Sequence, residues 1–186
     1  MPTRPPPAEA VLLTGGLATG KTAVAIEVGE ALEQARAAYA VLDLDWLCWA
    51  WSPDLDDGGV HTLLCDNLRM VVSNLTARGV RYFVLARAVL TAAGIEQIRH
   101  AVSPMPLRVL RLTASDDEVV RRLRARDSGA RLDGHVSMRS AFAQQTHAAA
   151  PSADEVDTTS DDAATAATKV LRVLGWPSVA EDGADQ

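Results

Sequence analysis

Apolar runs alternate along this chain with amphipathic stretches, and the two periods predict its elements in order. Residues 10–14 (AVLLT) form a short apolar run that ends in glycines, the pattern of a strand buried on both faces. From Thr22 the apolar positions Val24, Val28, Ala31, Leu32 and Ala35 recur at helical spacing, so a helix follows the glycines at once. A second buried strand is predicted over 39–44 (YAVLDL), ending in acids. A helix then runs through Leu64, Leu68, Val71, Val72 and Leu75 and is closed by Gly79 as a left-handed cap. Residues 82–86 (YFVLA) read as a third strand, Ile95, Ile98 and Val102 as a helix stopped before Pro104, and 107–112 (LRVLRL) as a fourth strand. Ser115 and Glu118 have the spacing of a capping box, ahead of the inward-facing Val119, Val120 and Leu123. A polar segment reaches to about His135, and a weaker helix is expected over 136–149. A strand over 155–158 and a helix over 161–174, ended by Gly175 and Pro177, complete the pattern. Only 46–59 has no clean period.

Strands alternating with helices of this length predict an α/β fold: a five-stranded parallel sheet in a three-layer α/β/α sandwich. Right-handed crossovers bring successive strand ends to one edge, where ligands of such folds bind. One domain over 10–176 is expected, with a disordered Pro-rich tail over 1–9 and a loose acidic tail over 177–186.

Chemistry enters at the first strand's end. Gly15, Gly16, Leu17, Ala18, Thr19, Gly20, Lys21 and Thr22 match G-x-x-x-x-G-K-[ST], between a strand and a helix. The glycines let backbone N–H groups turn inward, and the helix N-terminus adds positive charge toward phosphates. Lys21 is placed to neutralise β/γ oxygens, and the Thr22 hydroxyl to ligate Mg²⁺. This is the phosphate-binding loop (P-loop) of nucleotide-binding proteins, with ATP or a related triphosphate as its ligand.

Composition narrows the picture further. A net charge of −6 argues against a nucleic-acid or membrane-surface partner. Two cysteines and no recognisable leader fit a reduced, cytoplasmic protein. Sixteen arginines stand beside only two lysines, so Lys21 marks a place where a compact cation on a flexible stem is wanted.

The third strand ends Val84-Leu85-Ala86-Arg87 without an acid, no N/T-K-x-D guanine motif is present, and the second strand ends Asp43-Leu44-Asp45. This combination resembles the small-molecule kinases with a P-loop NTPase fold, closest in pattern to the shikimate-kinase and adenylyl-sulfate-kinase types. By that resemblance Asp43 helps order Mg²⁺ through water, and Asp45 accepts the proton of, or orients, the attacking hydroxyl. Two acids at i and i+2 on a strand point the same way, which suits one metal–substrate centre. The arginine-rich stretch 121–131 resembles the lid of these kinases, placed here over about 122–136. It implies Arg122 as a partner of the nucleotide, with Arg126 or Arg131 closing on the transferred phosphate. Val156-Asp157-Thr158 resembles the turn that lines the adenine edge.

The acceptor site is expected after the second strand. Trp46, Trp49 and Trp51, followed by Asp54, Asp56, Asp57 and His61, suit a polar ring compound as a pocket, or else a local core that anchors an irregular loop. Arg87 is a candidate for an anionic acceptor or the transferring phosphate. The sequence departs from the kinase pattern at Ala18, where the usual loop has a glycine, and in offering no second lysine near a motif. The reading is an ATP- and Mg²⁺-dependent phosphotransferase acting on a small-molecule hydroxyl, as monomer or homodimer. A nucleoside or nucleotide kinase and a nucleotide-binding switch with little turnover remain the alternatives.

Overall fold

The computed structural model describes residues 7–178. Most of the tail expected over 1–9, and most of that over 177–186, therefore lies outside the described residues; Glu9 already belongs to the first strand. Five strands, β1 (Glu9–Gly15), β2 (Tyr39–Asp43), β3 (Tyr82–Ala86), β4 (Leu107–Thr113) and β5 (Asp154–Asp157), lie parallel in the order β2-β3-β1-β4-β5. Between them run α1 (Lys21–Gln34), α2 (Leu44–Leu47), α3 (Asp57–Thr76), α4 (Ala92–Val102), α5 (Asp116–Arg126) and α6 (Gly129–Ala149), with α7 (Ala163–Leu174) after β5.

A strand buried on both faces sends alternate side chains into opposite cores, and β1 does so. Leu12 packs with Leu44, Leu64, Leu68, Phe83, Leu85 and Ile98. Val11 and Leu13 face the other way, onto Val24, Val28 and Leu32 of α1 and Val170 of α7. Both faces are thus sealed by helices, and each fully buried leucine contributes about 1.5–3 kcal/mol of transfer energy. Strand order reverses at β1, so its carboxyl end opens at the switch point where such sheets bind ligands. The register sets Asp43 level with Ala86, and Leu13 level with Ala86 on the other side. The ends of β1, β2 and β3 therefore meet at one place.

Several boundaries differ from the periodicity. β2 ends at Asp43, and Leu44 turns into the core to open the short helix α2. Asp45 is accordingly in a helical turn and not two residues along a strand from Asp43; the shared direction expected from strand alternation does not apply. α6 begins at Gly129, so 122–136 is the end of α5, a junction at Asp127 and Ser128, and the first turns of α6. Its Arg/Gly/Asp composition reads as loop, but tertiary contacts override that weak preference. Arg139 of α6 pairs with Asp116 of α5 at 2.7 Å, and His135 Nδ1 lies 2.7 Å from Asp127 Oδ2.

The capping box is half formed. Ser115 Oγ accepts from Glu118 N, while Ser115 N donates to Thr159 Oγ1 and Glu118 turns to arginines instead. Gly79, at φ +90, closes α3 as the sequence predicts: Val80 N donates to Leu75 O at 3.2 Å and Gly79 N to Thr76 O at 3.0 Å.

Candidate active site

The loop between β1 and α1 wraps backward on itself because three of its residues take positive φ: Gly15 at +142, Ala18 at +54 and Gly20 at +90. A side chain at Gly15 would strike the carbonyl oxygen of Leu112 on β4, so that position admits only glycine. Ala18 takes the left-handed conformation with a methyl in place, at a cost of roughly 1–2 kcal/mol.

Lys21 folds over this turn. Its Nζ donates to Gly16 O at 2.7 Å and Gly15 O at 3.2 Å. Burial pushes the ammonium down to about 8; Asp45 and then Asp43 oppose that shift, and Arg126 adds to it. Two carboxylates and one arginine predicted from sequence thus stand within electrostatic reach of the loop lysine. Thr22 Oγ1 donates to Asp43 Oδ2 at 2.8 Å, and Asp43 Oδ1 accepts from Asp45 N at 3.0 Å. Asp43 is therefore both the cap of α2 and the partner of the loop hydroxyl. A hydroxyl beside a carboxylate is the hard oxygen set that Mg²⁺ takes. No group of three or more His, Cys, Asp or Glu side chains suited to a metal occurs among the described residues, so further ligands would come from nucleotide phosphates and water.

Arg87, the first residue past β3, reaches across to α2. Its Nη1 lies 3.1 Å from Asp45 Oδ1, 3.2 Å from Cys48 Sγ and 3.4 Å from Leu44 O. Arg87 was a candidate for an anion; here its charge is matched by Asp45. Asn67 of α3 donates to Leu47 O at 2.6 Å, so α2 is pinned at both ends. Cys48 and Cys65 are buried free thiols.

The flank toward α5 is wired through Arg122 and Thr158. Arg122 Nη1 donates to Ala18 O at 3.3 Å and Thr158 Oγ1 at 3.1 Å, and its Nη2 to Thr158 O at 2.6 Å. Thr158 Oγ1 also meets Thr19 O and Thr113 O, at 3.2 and 3.0 Å. Glu118 holds Arg122 Nε at 2.6 Å, and its carboxyl is lowered to about 2, by Arg121 first and then by Arg122. Beside this clamp lies a cavity of about 280 Å³ lined by Thr19, Gly20, Arg122, Thr158 and Asp162.

The remaining predicted arginines gather on one acid. Asp127, its side chain 1 % exposed, pairs with Arg126 at 3.0 Å, Arg131 at 3.3 Å and His135 at 2.7 Å. Its carboxyl is lowered to about 2, chiefly by the Arg126 hydrogen bond and then by that of His135. Arg126 is held at the junction and its charge is felt as repulsion by the loop lysine, whereas Arg131 is tied to the junction and largely exposed. Sequence reasoning missed Asp127 and Glu118; the one available signal was an acid placed three or four residues from arginines on a helix.

Trp46 and Trp49 are not a local core. They are 68 % and 76 % exposed and stack on each other, ring centroids 4.8 Å apart at 24°, with Trp51 more exposed still. The core reading of this segment is overturned.

Comparisons with known structures place this architecture. A sugar kinase from Janibacter sp. superposes with a TM-score of 0.60 at 15 % identity, covering 91 % of this chain and 95 % of that one. A gluconokinase from Sinorhizobium meliloti gives 0.58 at 15 %, over 90 % and 95 %. The Mycobacterium tuberculosis APS kinase, solved with AMPPNP and APS, gives 0.58 at 21 %, over 92 % and 99 %. No protein-family model matches the sequence, and no curated protein matches it significantly. The chain therefore has the fold of the P-loop small-molecule kinases. No described helix is long and apolar enough to cross a membrane.

Proposed function

We propose that the protein is a kinase that moves the γ-phosphate of ATP to a hydroxyl of a small-molecule acceptor. The observation that carries this reading is the meeting of the loop with the two acids at the open edge of the sheet: Thr22 Oγ1 donates to Asp43 Oδ2 at 2.8 Å, Asp43 Oδ1 accepts from Asp45 N at 3.0 Å, and Lys21 folds over the loop onto Gly16 O at 2.7 Å. Backbone N–H groups of 15–22 and the Lys21 ammonium hold the β and γ phosphates, and the cavity beside Arg122 and Thr158 receives the base. Thr22 and Asp43 fit Mg²⁺, whose charge would ease the negative charge that develops on the transferred group.

Asp45 is held by Arg87 and by its own N–H, which donates to Asp43. As the acceptor oxygen forms its bond to phosphorus, its proton passes to the Asp45 carboxylate and the β–γ bridge breaks to leave ADP. Arg126 supplies positive charge from the α5–α6 junction. Its release from Asp127 toward the phosphate is the lid motion assigned to residues 122–136. Most of the rate gain is positioning and electrostatics. The activities of these neighbours, on sugar, gluconate and APS, support this class of reaction.

The test is ADP release from Mg·ATP with and without a panel of sugars, nucleosides, hydroxy acids and aminoglycosides. Asp45→Asn is expected to cut acceptor-stimulated release by roughly 10²–10⁴-fold while nucleotide affinity holds. Nucleotide binding with no acceptor-stimulated release, and no effect of Asp45→Asn, would favour a switch protein instead.

A further inference from the structure

We infer, on the basis of the kinase reading above, that the acceptor is a ring-bearing alcohol that carries no anionic group. Two independent features on the acceptor side lead there. The first is charge. From Asp43 to Leu68 the sequence holds six aspartates and neither lysine nor arginine. The cations that reach these acids from outside the segment are already engaged: Arg87 sits 3.1 Å from Asp45, Arg69 2.8 Å from Asp66, and Lys21 donates to Gly15 O and Gly16 O of the loop. The segment's acids outnumber the cations paired with them, so an acceptor bearing a phosphate, sulfate or carboxylate would meet net negative charge and no arginine or lysine of the segment itself, whereas a neutral or amine-bearing one would meet no such barrier.

The second feature is the aromatic platform. Trp46 follows Asp45 directly on α2 and stacks with Trp49, leaving the outer faces of both rings in solvent. Two exposed rings stacked on each other make a contiguous apolar patch of the kind that marks a binding surface. The base of the platform is held: Arg87 donates to Leu44 O and Asn67 to Leu47 O, so the four-residue helix cannot easily turn Trp46 inward, and Trp49, just past its end, stacks on that ring. A flat ring laid on Trp46 or Trp49 would be held next to the helix that carries Asp45, and the stacking supplies the affinity that elsewhere comes from an ion pair. Arg87 on this account positions Asp45 and does not bind the acceptor's charge.

The experiment pairs neutral acceptors with matched anions: nucleosides beside their 5′-monophosphates, methyl glycosides beside glycuronic acids, and aryl alcohols beside aryl hydroxy acids. Each is assayed for ADP release with the full chain and saturating Mg·ATP. Turnover by a neutral member at least tenfold above its anionic partner is expected. Trp46→Ala/Trp49→Ala should raise the acceptor KM about tenfold or more and leave the KM for ATP unchanged, with Trp46→Phe/Trp49→Phe restoring most of the loss. Preference for the anionic members would overturn the inference while leaving the kinase reading intact. So would an unchanged acceptor KM in the double alanine variant. If that variant instead converts a dimer to a monomer by sedimentation, the platform is an interface between copies of this chain. Absence of stimulated release by every member, with Asp45→Asn also silent, would remove both the kinase reading and the inference.

Discussion

The loop that follows β1 and the segment that follows β2 open on the same edge of the sheet and are held there by different means. Around the loop, side chains bond to backbone: Lys21 to Gly15 and Gly16, Arg122 to Ala18 and Thr158, Thr158 to Thr19 and Thr113. After α2, which exposes Trp46, the chain runs from Cys48 to Asp56 without regular structure and exposes Trp49 and Trp51. The first region is shaped before any ligand arrives, because phosphates are alike in every nucleotide and a fixed cradle loses nothing by being rigid. The second has a fixed base, α2, but an open face. Such an arrangement lets one fold host different acceptors.

Changes to either region sharpen the contrast. The largest effect is expected from Lys21→Met, which removes the loop's cation: kcat should fall on the order of 10²–10³-fold with nucleotide binding weakened. Survival of turnover within tenfold would break the assignment of the loop as the catalytic half. Arg87→Met acts on the other region by freeing Asp45 and α2. It should lower kcat roughly ten- to a hundredfold with nucleotide affinity unchanged, measured by calorimetry beside steady-state kinetics.

The loop also sets a pH dependence. Lys21 is lowered to about 8 in the free protein, and bound phosphate favours its charged form. Nucleotide affinity should be flat below about pH 8 and then weaken by up to roughly tenfold per unit as the free amine deprotonates. Proton uptake on binding near pH 8, measured in two buffers of different ionisation enthalpy, checks the sign. A flat profile to about pH 9 would remove Lys21 as the phosphates' partner. The smallest effect is that of Ala18→Gly. Relief of the left-handed alanine, partly offset by the greater freedom of glycine when unfolded, should stabilise by up to about 1 kcal/mol, or 2–4 °C in Tm. An unchanged Tm would show that the turn is unstrained at Ala18.

The same contrast explains what the sequence made legible. Buried parallel strands must be continuous apolar runs, so 82–86 matches β3 and the neighbouring strands fall within two residues of expectation. The loop motif was legible because each position answers to local backbone geometry. Asp43 and Asp45 were found, but the strand that was to align them stops at Leu44, whose side chain the core takes. The α5–α6 junction was hidden because Asp127 is defined by three partners that sequence spacing alone does not bring together. Whether the tryptophans face the core or solvent is a matter of tertiary packing, and composition is silent on it.

The scarcity of lysine has a practical side. The chain carries two side-chain amines: Lys169 is held by Asp161 at 2.6 Å, and Lys21 sits in the loop with a value of about 8. An unprotonated amine is a nucleophile, so Lys21 becomes open to acylation at a lower pH than an ordinary lysine, and bound nucleotide would cover it. Protection of this one residue from acylation by added nucleotide therefore reports occupancy of the loop without any assay of turnover.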